Sequence, residues 1–530
     1  MAEYDADVIV VGAGGFGSVV AQKSALAGKS VIMLEAGPEI PYWKVVENWR
    51  SSPRKDNFVE PYGDPPWAPS SYTTGYLNVD TDVKRWPGTA RVVGGTSRHW
   101  TAITWRFLPE DFKIKSNFGV GIDWPISYDD LEPYYTEAEY FLGVSGLESD
   151  DQSGSHPGQA YPSRSKPYPM PPEAKPYIIQ RMQMRMADKG LRIIHAPSAR
   201  ASRNYDGRPA CIGNNLCQPE CPISAKFSGL MAVDRARAAG VQLRSEVVVD
   251  RLEKDASGKI TSLSYQTRHG ERHTLKARTY VIAGHALETP KLLLMNELAT
   301  RSGQVGRNLM IHIGHLCMMR GEEALWQGRG QYGHGTMMQR RNMQDRDKIP
   351  AFTMALWNEN YTSQFTDILL KEKKQLGKPL ESSIRDVVSR TFLNLVLSED
   401  LPEKPNGITL NSNWKDSLGL PGLNYRYRVS DYSKAMLPRI QNDNALIAQA
   451  MGVKDPAVNI YWMCHDHLMG TVMMGNDAAT SVVDKNLRCH DHSNLFLVTT
   501  GVYPSSASLN PTLTGYAIAM RAGAYIAAEG

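Results

Sequence analysis

The chain has 530 residues, of which 42% are hydrophobic and 22% are charged, as is usual for a globular protein with two or three packed domains. Its 59 basic and 55 acidic side chains leave a net charge of only +4, which excludes nucleic acid or an acidic membrane surface as the main partner. No run of 18 apolar residues occurs, so we expect no transmembrane helix. The first residues, MAEYDADVIVVGAGG, carry acids where a signal peptide has bases, so we expect no export signal in this chain.

The first predicted element is a strand–helix–strand unit at residues 7–35. A β-branched run is followed by Gly12, Gly14 and Gly17 in the spacing G-x-G-x-x-G, then by a helix and a second strand that ends at Glu35. In such a unit the glycines let the backbone approach a pyrophosphate, and the acid accepts hydrogen bonds from the ribose hydroxyls. The pattern predicts a dinucleotide site without separating FAD from NAD, and chance glycines in a loop are the alternative.

A second glycine motif lies at residues 91–106, which read RVVGGTSRHWTAITWR. The pair Gly94–Gly95, followed by hydroxyl side chains, suits a backbone that packs against a flat ligand, and an ordinary glycine turn is the alternative. Further along the chain, residues 280–295 (YVIAGHALETPKLLLM) predict a strand, a turn of small residues and a helix. Both segments are candidates for the wall of the nucleotide site.

Half of the six cysteines fall within residues 211–222, which read CIGNNLCQPECP. Bacterial ferredoxin motifs have the spacing C-x2-C-x2-C-x3-C-P. On that spacing Cys211, Cys217 and Cys221 occupy the first, third and fourth positions, and Asn214 stands at the second. Three thiolates suit a [3Fe–4S] cluster, because it has three irons to ligate.

Two alternatives apply to these cysteines. A zinc site would need a fourth ligand, and the segment contains no histidine. A disulfide would leave one thiol over and would need an oxidising compartment. The pattern of residues favours the cluster over both.

Histidine and asparagine side chains near the C-terminus are candidates for chemistry. Residues 465–475 read HDHLMGTVMMG, and residues 481–514 end in NPTLT. A histidine such as His467 can take a hydroxyl proton at neutral pH, because its unperturbed pKa is about 6.5. The alternatives are a satisfied polar histidine near the surface and a metal site formed by the two HDH sequences at 465–467 and 490–492.

Together these motifs resemble the glucose–methanol–choline (GMC) oxidoreductases, which are FAD enzymes that oxidise alcohols. VGAGGFG with LEAG, RVVGGTS, GHALETPKLLL, HLMGT and NPTLT stand in family order from residue 8 to residue 514, so the resemblance spans nearly the whole chain. It implies an α/β fold with a Rossmann-like FAD-binding domain built from discontinuous segments and a substrate domain with an antiparallel sheet and helices. We expect an FAD-binding domain at residues 1–110, 200–310 and 460–530 with an iron–sulfur loop at 205–225, an intervening or cap segment at 111–199, and a substrate-binding domain at 311–459.

Three further stretches narrow the resemblance. PPWAPSS, FGVGIDWPISYDDLEPYY and YDGRPACIGNNLCQPECPI are similar to one bacterial branch, the catalytic subunits of FAD-dependent glucose and fructose dehydrogenases. The branch implies a [3Fe–4S] cluster at the three matching cysteines. Two departures lie near the sugar side: Ile311 stands where an acid usually precedes the histidine, and the tail reads LNPTLT without the usual valine. These departures concern the choice of sugar rather than the chemistry.

The resemblance also implies the site residues. His467 would be the base, and Asn510 would orient the substrate hydroxyl. His99, in the sequence SRHW, resembles a position at which some relatives attach the flavin covalently; we expect noncovalent FAD, with covalent attachment as the alternative. The implied FAD-binding residues are Gly12, Gly14, Gly17, Glu35, Arg91, Gly94, Gly95, Ser97, His99, Trp100, Thr101, Ala283, Pro511 and Thr512.

From the resemblance we expect a dehydrogenase that oxidises a hydroxyl of a sugar, glycoside or polyol to a carbonyl by hydride transfer to FAD. Electrons would leave singly through the cluster to an external acceptor such as a cytochrome subunit. An oxidase of the same family, which makes hydrogen peroxide from dioxygen, is the alternative. A binding subunit without turnover is disfavoured, because both His467 and Asn510 are present.

Relatives of this branch pair with a small subunit that bears a twin-arginine signal. We therefore expect such a subunit and a cytochrome-type acceptor as partners, with no nucleic acid and no direct membrane span. The expected location is the periplasm, reached by co-export and with membrane association through the cytochrome subunit. A cytoplasmic location is the alternative.

Overall fold

The computed structural model describes residues 3–52, 59–85, 88–454 and 461–529. It confirms the expected mixed α/β architecture, with a parallel sheet, separate sheets that contain antiparallel pairs, and helices packed against them. The strands of the described ranges are β1 Ala6–Val11, β2 Val31–Leu34, β3 Leu77–Thr81, β4 Lys84–Arg85, β5 Ile193–His195, β6 Gln242–Arg244, β7 Val247–Lys254, β8 Ile260–Thr267, β9 Arg272–Leu275, β10 Ala277–Ile282, β11 Ile313–Arg320, β12 His334–Met337, β13 Phe352–Trp357, β14 Thr391–Ser398, β15 Gly407–Lys415, β16 Pro421–Tyr427, β17 Tyr461–Cys464 and β18 Leu495–Leu497. The α-helices are α1 Gly15–Leu26, α2 Tyr42–Ser51, α3 Ile114–Phe118, α4 Tyr128–Leu142, α5 Tyr177–Ala187, α6 Gly229–Ala238, α7 His285–Met295, α8 Thr362–Lys371, α9 Gly377–Ser383, α10 Asp431–Lys434, α11 Leu437–Ala450 and α12 Thr512–Ala528.

The parallel sheet carries the predicted nucleotide unit. Its order is β18–β10–β1–β2–β6, and each neighbouring pair is parallel. Strand β2 is apolar and buried along its whole length, as expected for a sheet covered on both faces. Strands β1 and β10 are neighbours, and the order of the strands reverses between them. Parallel sheets of this kind bind their ligands at that point.

The largest sheet has the order β4–β17–β11–β14–β13–β12–β5 and is antiparallel apart from the β4–β17 pair. Its central strand, β14, is fully buried. Two three-stranded sheets, β15–β16–β3 and β7–β8–β9, flank the molecule. The sheet also includes strands from outside residues 311–459, the predicted substrate-binding domain. These strands are β4, β5 and β17.

The hydrophobic core has two main parts. One surrounds the parallel sheet and includes α1 and α12, and the other joins the seven-stranded sheet to α5 and α11. Within the described ranges, no helix is both long and apolar enough to cross a membrane. The two parts of the core hold the two large sheets on either side of one cavity.

Candidate active site

A cavity of about 1140 Å³ lies between the two large sheets. It exceeds the volume of about 300–1,000 Å³ that is usual for a single small ligand, so it has room for a dinucleotide and a substrate. Gly17, Gly94 and the three cysteines Cys211, Cys217 and Cys221 do not line it. The predicted residues that do line it are Gly12, Gly14, Glu35, Arg91, Gly95, Ser97, His99, Trp100, Thr101, Ala283, His467, Asn510, Pro511 and Thr512.

The first glycine motif forms a cradle at one end of the cavity. Gly12 has φ = +108°, and a Cβ atom there would lie 2.6 Å from the carbonyl oxygen of Ala283. Gly17 does not face the cavity; a Cβ there would lie 2.1 Å from Gly12 O, so this glycine lets α1 pack against β1. The N-terminus of α1 has no side-chain cap, and its first residues, Gly15 and Phe16, line the cavity. The amides of a first helical turn have no partner within the helix, so this end fits a pyrophosphate.

Glu35 lies at the end of β2, and its carboxylate is held by backbone amides. Oε2 accepts from Ala13 N and Oε1 accepts from Gly37 N, both at 2.9 Å. Burial raises the pKa of this carboxyl, while the two amide donors act in the opposite direction. The side chain therefore braces the glycine loop as well as lining the cavity, and its predicted contact with a ribose stays a prediction.

The second glycine motif forms the facing wall. Gly94 N donates to Ala13 O at 2.9 Å, which ties this motif to the first one behind the cavity surface. Ser97 Oγ donates to Gly94 O at 2.9 Å, and Trp100 Nε1 donates to Phe227 O at 2.8 Å. Trp100 is thereby fixed with one face along the cavity.

An ionic group at the cavity wall joins the predicted residue Arg91 to three side chains that were not predicted. Arg91 forms an ion pair with Glu288, and Arg91 Nη2 also donates to the Tyr76 hydroxyl at 2.9 Å. Tyr76 in turn donates to Glu288 Oε1 at 2.5 Å. Burial lowers the pKa of the neighbouring Lys291 to about 8, although Glu288 opposes the shift. Glu288 and Lys291 lie one turn apart on α7, and only the fold brings them to residues 76 and 91.

His99 lines the cavity with a fixed ring. Its Nε2 lies 2.5 Å from Gly88 O, so this nitrogen carries the proton and donates. Its Nδ1 is buried and has no hydrogen-bond partner among the described residues. Burial lowers the pKa of the ring to about 4, so the imidazole is neutral.

Two predicted catalytic residues meet at the far end of the cavity, and a third side chain joins them. His467 Nε2 lies 3.5 Å from Asn510 Nδ2. On its other side, His467 Nδ1 lies 2.8 Å from Nδ1 of His312. His312 Nε2 lies 3.1 Å from Ser506 O and 3.2 Å from Ala507 O. His312 precedes β11 and lies 155 residues from His467 in sequence, so no motif spacing indicated the pair.

These contacts determine which nitrogen of His467 is free. Both partners of His312 Nε2 are carbonyl oxygens, so Nε2 must carry a proton. In a neutral ring, His312 Nδ1 is then an acceptor, and His467 Nδ1 must donate to it. This leaves His467 Nε2 with its lone pair beside Asn510, which is the arrangement that a base requires.

Burial keeps this histidine group uncharged. The pKa of His467 lies well below its usual range, because the ring is buried and His312 and His465 would repel a charge on it. Burial also lowers the pKa of His312 to about 4 and that of His465 to about 3. The base is therefore present in its proton-accepting form at neutral pH.

This depressed pKa predicts an unusual pH dependence. The neutral form of His467 is the active one, so acid removes activity only as the pH falls through the pKa of the folded protein, which lies well below 6.5. We expect the limiting rate constant of flavin reduction, measured by stopped-flow at saturating substrate, to stay level from about pH 8 to below pH 6.5. A rate that falls to half near pH 6.5 would contradict this assignment.

The other histidines of the two HDH sequences have structural contacts. His465 Nε2 lies 3.2 Å from Val396 O, which ties this ring to β14. His490 Nε2 lies 2.9 Å from Ser481 Oγ, and His492 bridges Gly258 O and Ala299 N. Across the described parts of the chain, no three or more His, Cys, Asp or Glu side chains converge as ligands of a single metal ion.

The cysteine segment lies against the outside of the cavity wall. All three thiols are free, with Cys217 and Cys221 buried and Cys211 half-buried. Gln218, between them, lines the cavity and donates through Nε2 to His99 O at 2.9 Å. The loop is thereby joined directly to a residue of the cofactor wall.

Two buried cations accompany these thiols. Burial raises the pKa of Cys217 to about 12, and the charges of Arg200 and Lys226 oppose that shift. Arg200 is fixed by Glu173, and Lys226 Nζ donates to the carbonyls of residues 98 and 100. Fixed positive charges of this kind favour anionic sulfur ligands.

A glycine cradle, a facing wall and a neutral base in one cavity define a dinucleotide-dependent oxidoreductase. Comparison with known families agrees: the N-terminal GMC oxidoreductase family model matches residues 6–314 and the C-terminal one matches residues 402–519. The chain belongs to the GMC oxidoreductase family. It is an FAD-dependent enzyme that acts on CH–OH groups.

Curated relatives cover nearly the whole chain. It is 37% identical to the fructose dehydrogenase large subunit of Gluconobacter japonicus, over 98% of this chain and 97% of that protein. It is 29% identical to 2-methyl-1,2-propanediol dehydrogenase of Mycolicibacterium austroafricanum, over 98% and 95%. Formate oxidase from Aspergillus oryzae RIB40 has a similar fold, with a TM-score of 0.66 at 16% identity over 99% of this chain and 98% of that one.

Proposed function

We propose that the protein is a dehydrogenase that oxidises a hydroxyl of a sugar, glycoside or polyol to a carbonyl and passes the electrons to an external acceptor. The observation that carries the proposal is the shared cavity. It is lined by the proposed base His467, by its neighbour Asn510 and by His99, whose backbone carbonyl accepts a hydrogen bond from the cysteine loop. The similarity to a fructose dehydrogenase subunit supports the sugar as substrate.

The chain's own residues supply proton transfer and orientation. When bound, FAD provides the acceptor for the hydride that leaves the carbinol carbon. His467 Nε2 takes the hydroxyl proton, and the Asn510 amide holds the hydroxyl next to it. His312 fixes the tautomer of His467 by accepting from its Nδ1. Leu316, Leu395 and Leu397 add an apolar part to the wall of the same cavity.

We further propose that Cys211, Cys217 and Cys221 hold a [3Fe–4S] cluster. The donor set fits: three free thiols lie on one loop, with the cations of Arg200 and Lys226 beside them. Each thiolate of such a cluster binds its own iron, so the three sulfurs need not converge on one ion. When bound, the cluster provides a one-electron carrier between the flavin side of the wall and the surface.

The proposal extends to partner subunits, which the name of one relative supports, and to a cellular location. The fructose dehydrogenase relative is, by its name, a large subunit, and therefore belongs to an assembly of more than one subunit. We propose a small signal-bearing subunit, a cytochrome-type acceptor and a periplasmic location for this chain. A pull-down of this chain with the proposed small subunit and the proposed cytochrome would test the assembly directly.

We propose that FAD is bound noncovalently. His99 is the candidate for attachment, and its Nε2 already donates to Gly88 O at 2.5 Å. The Gln218 contact holds the backbone of His99 on the opposite side. The ring is therefore fixed by two neighbours in a position along the cofactor wall.

Anaerobic and aerobic turnover separate a dehydrogenase from an oxidase. We expect the purified holoprotein to reduce a one-electron dye with a sugar as donor under argon, and to release little hydrogen peroxide in air. The physical reason is that an acceptor reached through the cysteine loop does not need dioxygen at the flavin. Rapid peroxide release from protein that contains no iron would favour the oxidase alternative instead.

A further inference from the structure

The cofactor cavity continues along one face of the seven-stranded sheet. Leu316 of β11 lies opposite Leu395 of β14, and both line the cavity. Leu397 lies two residues from Leu395 and therefore points to the same face. Trp357, at the end of β13, extends this apolar wall away from the histidines.

The wall is long compared with one sugar ring. The histidine end adjoins Cys464 of β17, which lies opposite Ile313 of β11, whereas Trp357 lies at the end of β13, two strands beyond β11. Three strand spacings amount to about 14 Å, and the five residues from Phe352 to Trp357 add about 17 Å along the strand. The two ends of the wall are thus about 20 Å apart, measured between backbones.

A buried carboxyl marks the end far from the histidines. Glu359 lines the cavity, and its Oε2 accepts from the hydroxyls of Tyr361 at 2.8 Å and Tyr332 at 3.2 Å. Its Oε1 accepts no hydrogen bond from the described residues, and no described cation forms an ion pair with it. Burial raises its pKa to about 7. The neighbouring Tyr361 and Gln364 are half-exposed and line the same cavity, so the mouth lies here.

We infer that the substrate is a glycoside or oligosaccharide of at least two rings, which fills this channel from His467 to Glu359. The terminal ring presents its hydroxyl to His467 and Asn510, while the next unit packs its C–H face on Trp357 and donates a hydroxyl to Glu359. A single ring held at His467 would reach neither Trp357 nor Glu359, because the two ends of the wall are about 20 Å apart. The inference rests on the proposed function and specifies its substrate class.

The test compares substrates of different length on the holoenzyme. Anaerobic flavin reduction is followed with glucose, methyl glucoside and two glucose-containing disaccharides. We expect kcat/KM to be at least about 10-fold higher for one of the disaccharides than for glucose. Glu359→Ala should lower kcat/KM for that disaccharide by about 10- to 100-fold, mostly through KM, and Glu359→Gln should restore part of the loss because it keeps an acceptor oxygen.

Further variants separate recognition from folding. Glu372→Gln, an exposed glutamate after α8, is the matched control and should leave the ratio of disaccharide to glucose unchanged. Trp357→Phe keeps an apolar ring and should lower that ratio, with FAD content and Tm measured alongside. Equal kcat/KM for glucose and the disaccharides, with the same ratio in Glu359→Ala, would overturn the inference while leaving the dehydrogenase intact. Failure of every saccharide to reduce the flavin would overturn the proposed function itself.

Discussion

Replacing His467 with alanine is expected to lower the rate constant of flavin reduction about 10³-fold or more, within the range of about 10²–10⁴ that a positioned base contributes. The effect should be large because Nε2 of this ring holds its lone pair towards Asn510, while Nδ1 donates to His312. Stopped-flow absorbance of the flavin under anaerobic conditions measures the rate directly.

The control for this variant is His269→Ala, which removes an exposed histidine that does not line the cavity and should leave the rate unchanged. FAD content and Tm of both variants check that the cofactor site is intact. A reduction rate of His467→Ala within a few-fold of wild type would assign the base to another group. The rate constant of flavin reduction in His312→Gln should lie between those of His467→Ala and the wild type. This variant removes the side chain that orients the base but keeps the base itself.

Replacing Cys217 with serine is expected to remove most of the bound iron and nearly all turnover with a one-electron protein acceptor. Flavin reduction by the substrate should persist in the same variant, because His467 and Asn510 are untouched. Iron analysis, the low-temperature paramagnetic resonance spectrum and the rate with a cytochrome acceptor are the three measurements. Cys221→Ser should behave in the same way.

Cys317→Ala is the matched control for these variants, because it removes a buried thiol of β11 outside the loop. It should keep the iron and the turnover of the wild type. Wild-type protein that is purified without oxygen and contains no iron, or Cys217→Ser that keeps full acceptor turnover, would contradict the cluster. Either result would leave the proposed oxidation of the substrate by FAD unaffected.

Local patterns were sufficient to predict the parts of the site whose geometry is local. The strand–helix–strand unit of residues 7–35 folds as predicted, because the glycine spacing and the buried strands depend on near neighbours. The same holds for the overall class of fold, since alternating strands and helices dictate a parallel sheet. His467, which its motif singled out, lines the cavity, and its role as the base stays a prediction.

Contacts between residues that meet only through tertiary packing could not be predicted from the sequence. His312 lies in a segment noted for its unusual Ile311, yet its contact with His467 depends on the pairing of β11 with β17. Glu359 follows a strand without any motif, and its burial becomes visible only when the sheet closes over the cavity. A single chain carries no periodicity that reports such long-range contacts.

The cavity wall has a consequence for how the holoenzyme is made. Its residues run from Val11 to Thr512, so the segments that enclose the cofactor are synthesised at nearly opposite ends of translation. A nascent chain that has emerged only as far as residue 400 has neither His467 nor Asn510 and cannot close the site. The complete FAD site therefore forms only after the C-terminal segment has left the ribosome, and bound dinucleotide then stabilises the native topology by mass action. We expect the yield of folded enzyme to respond to the supply of flavin in the cell.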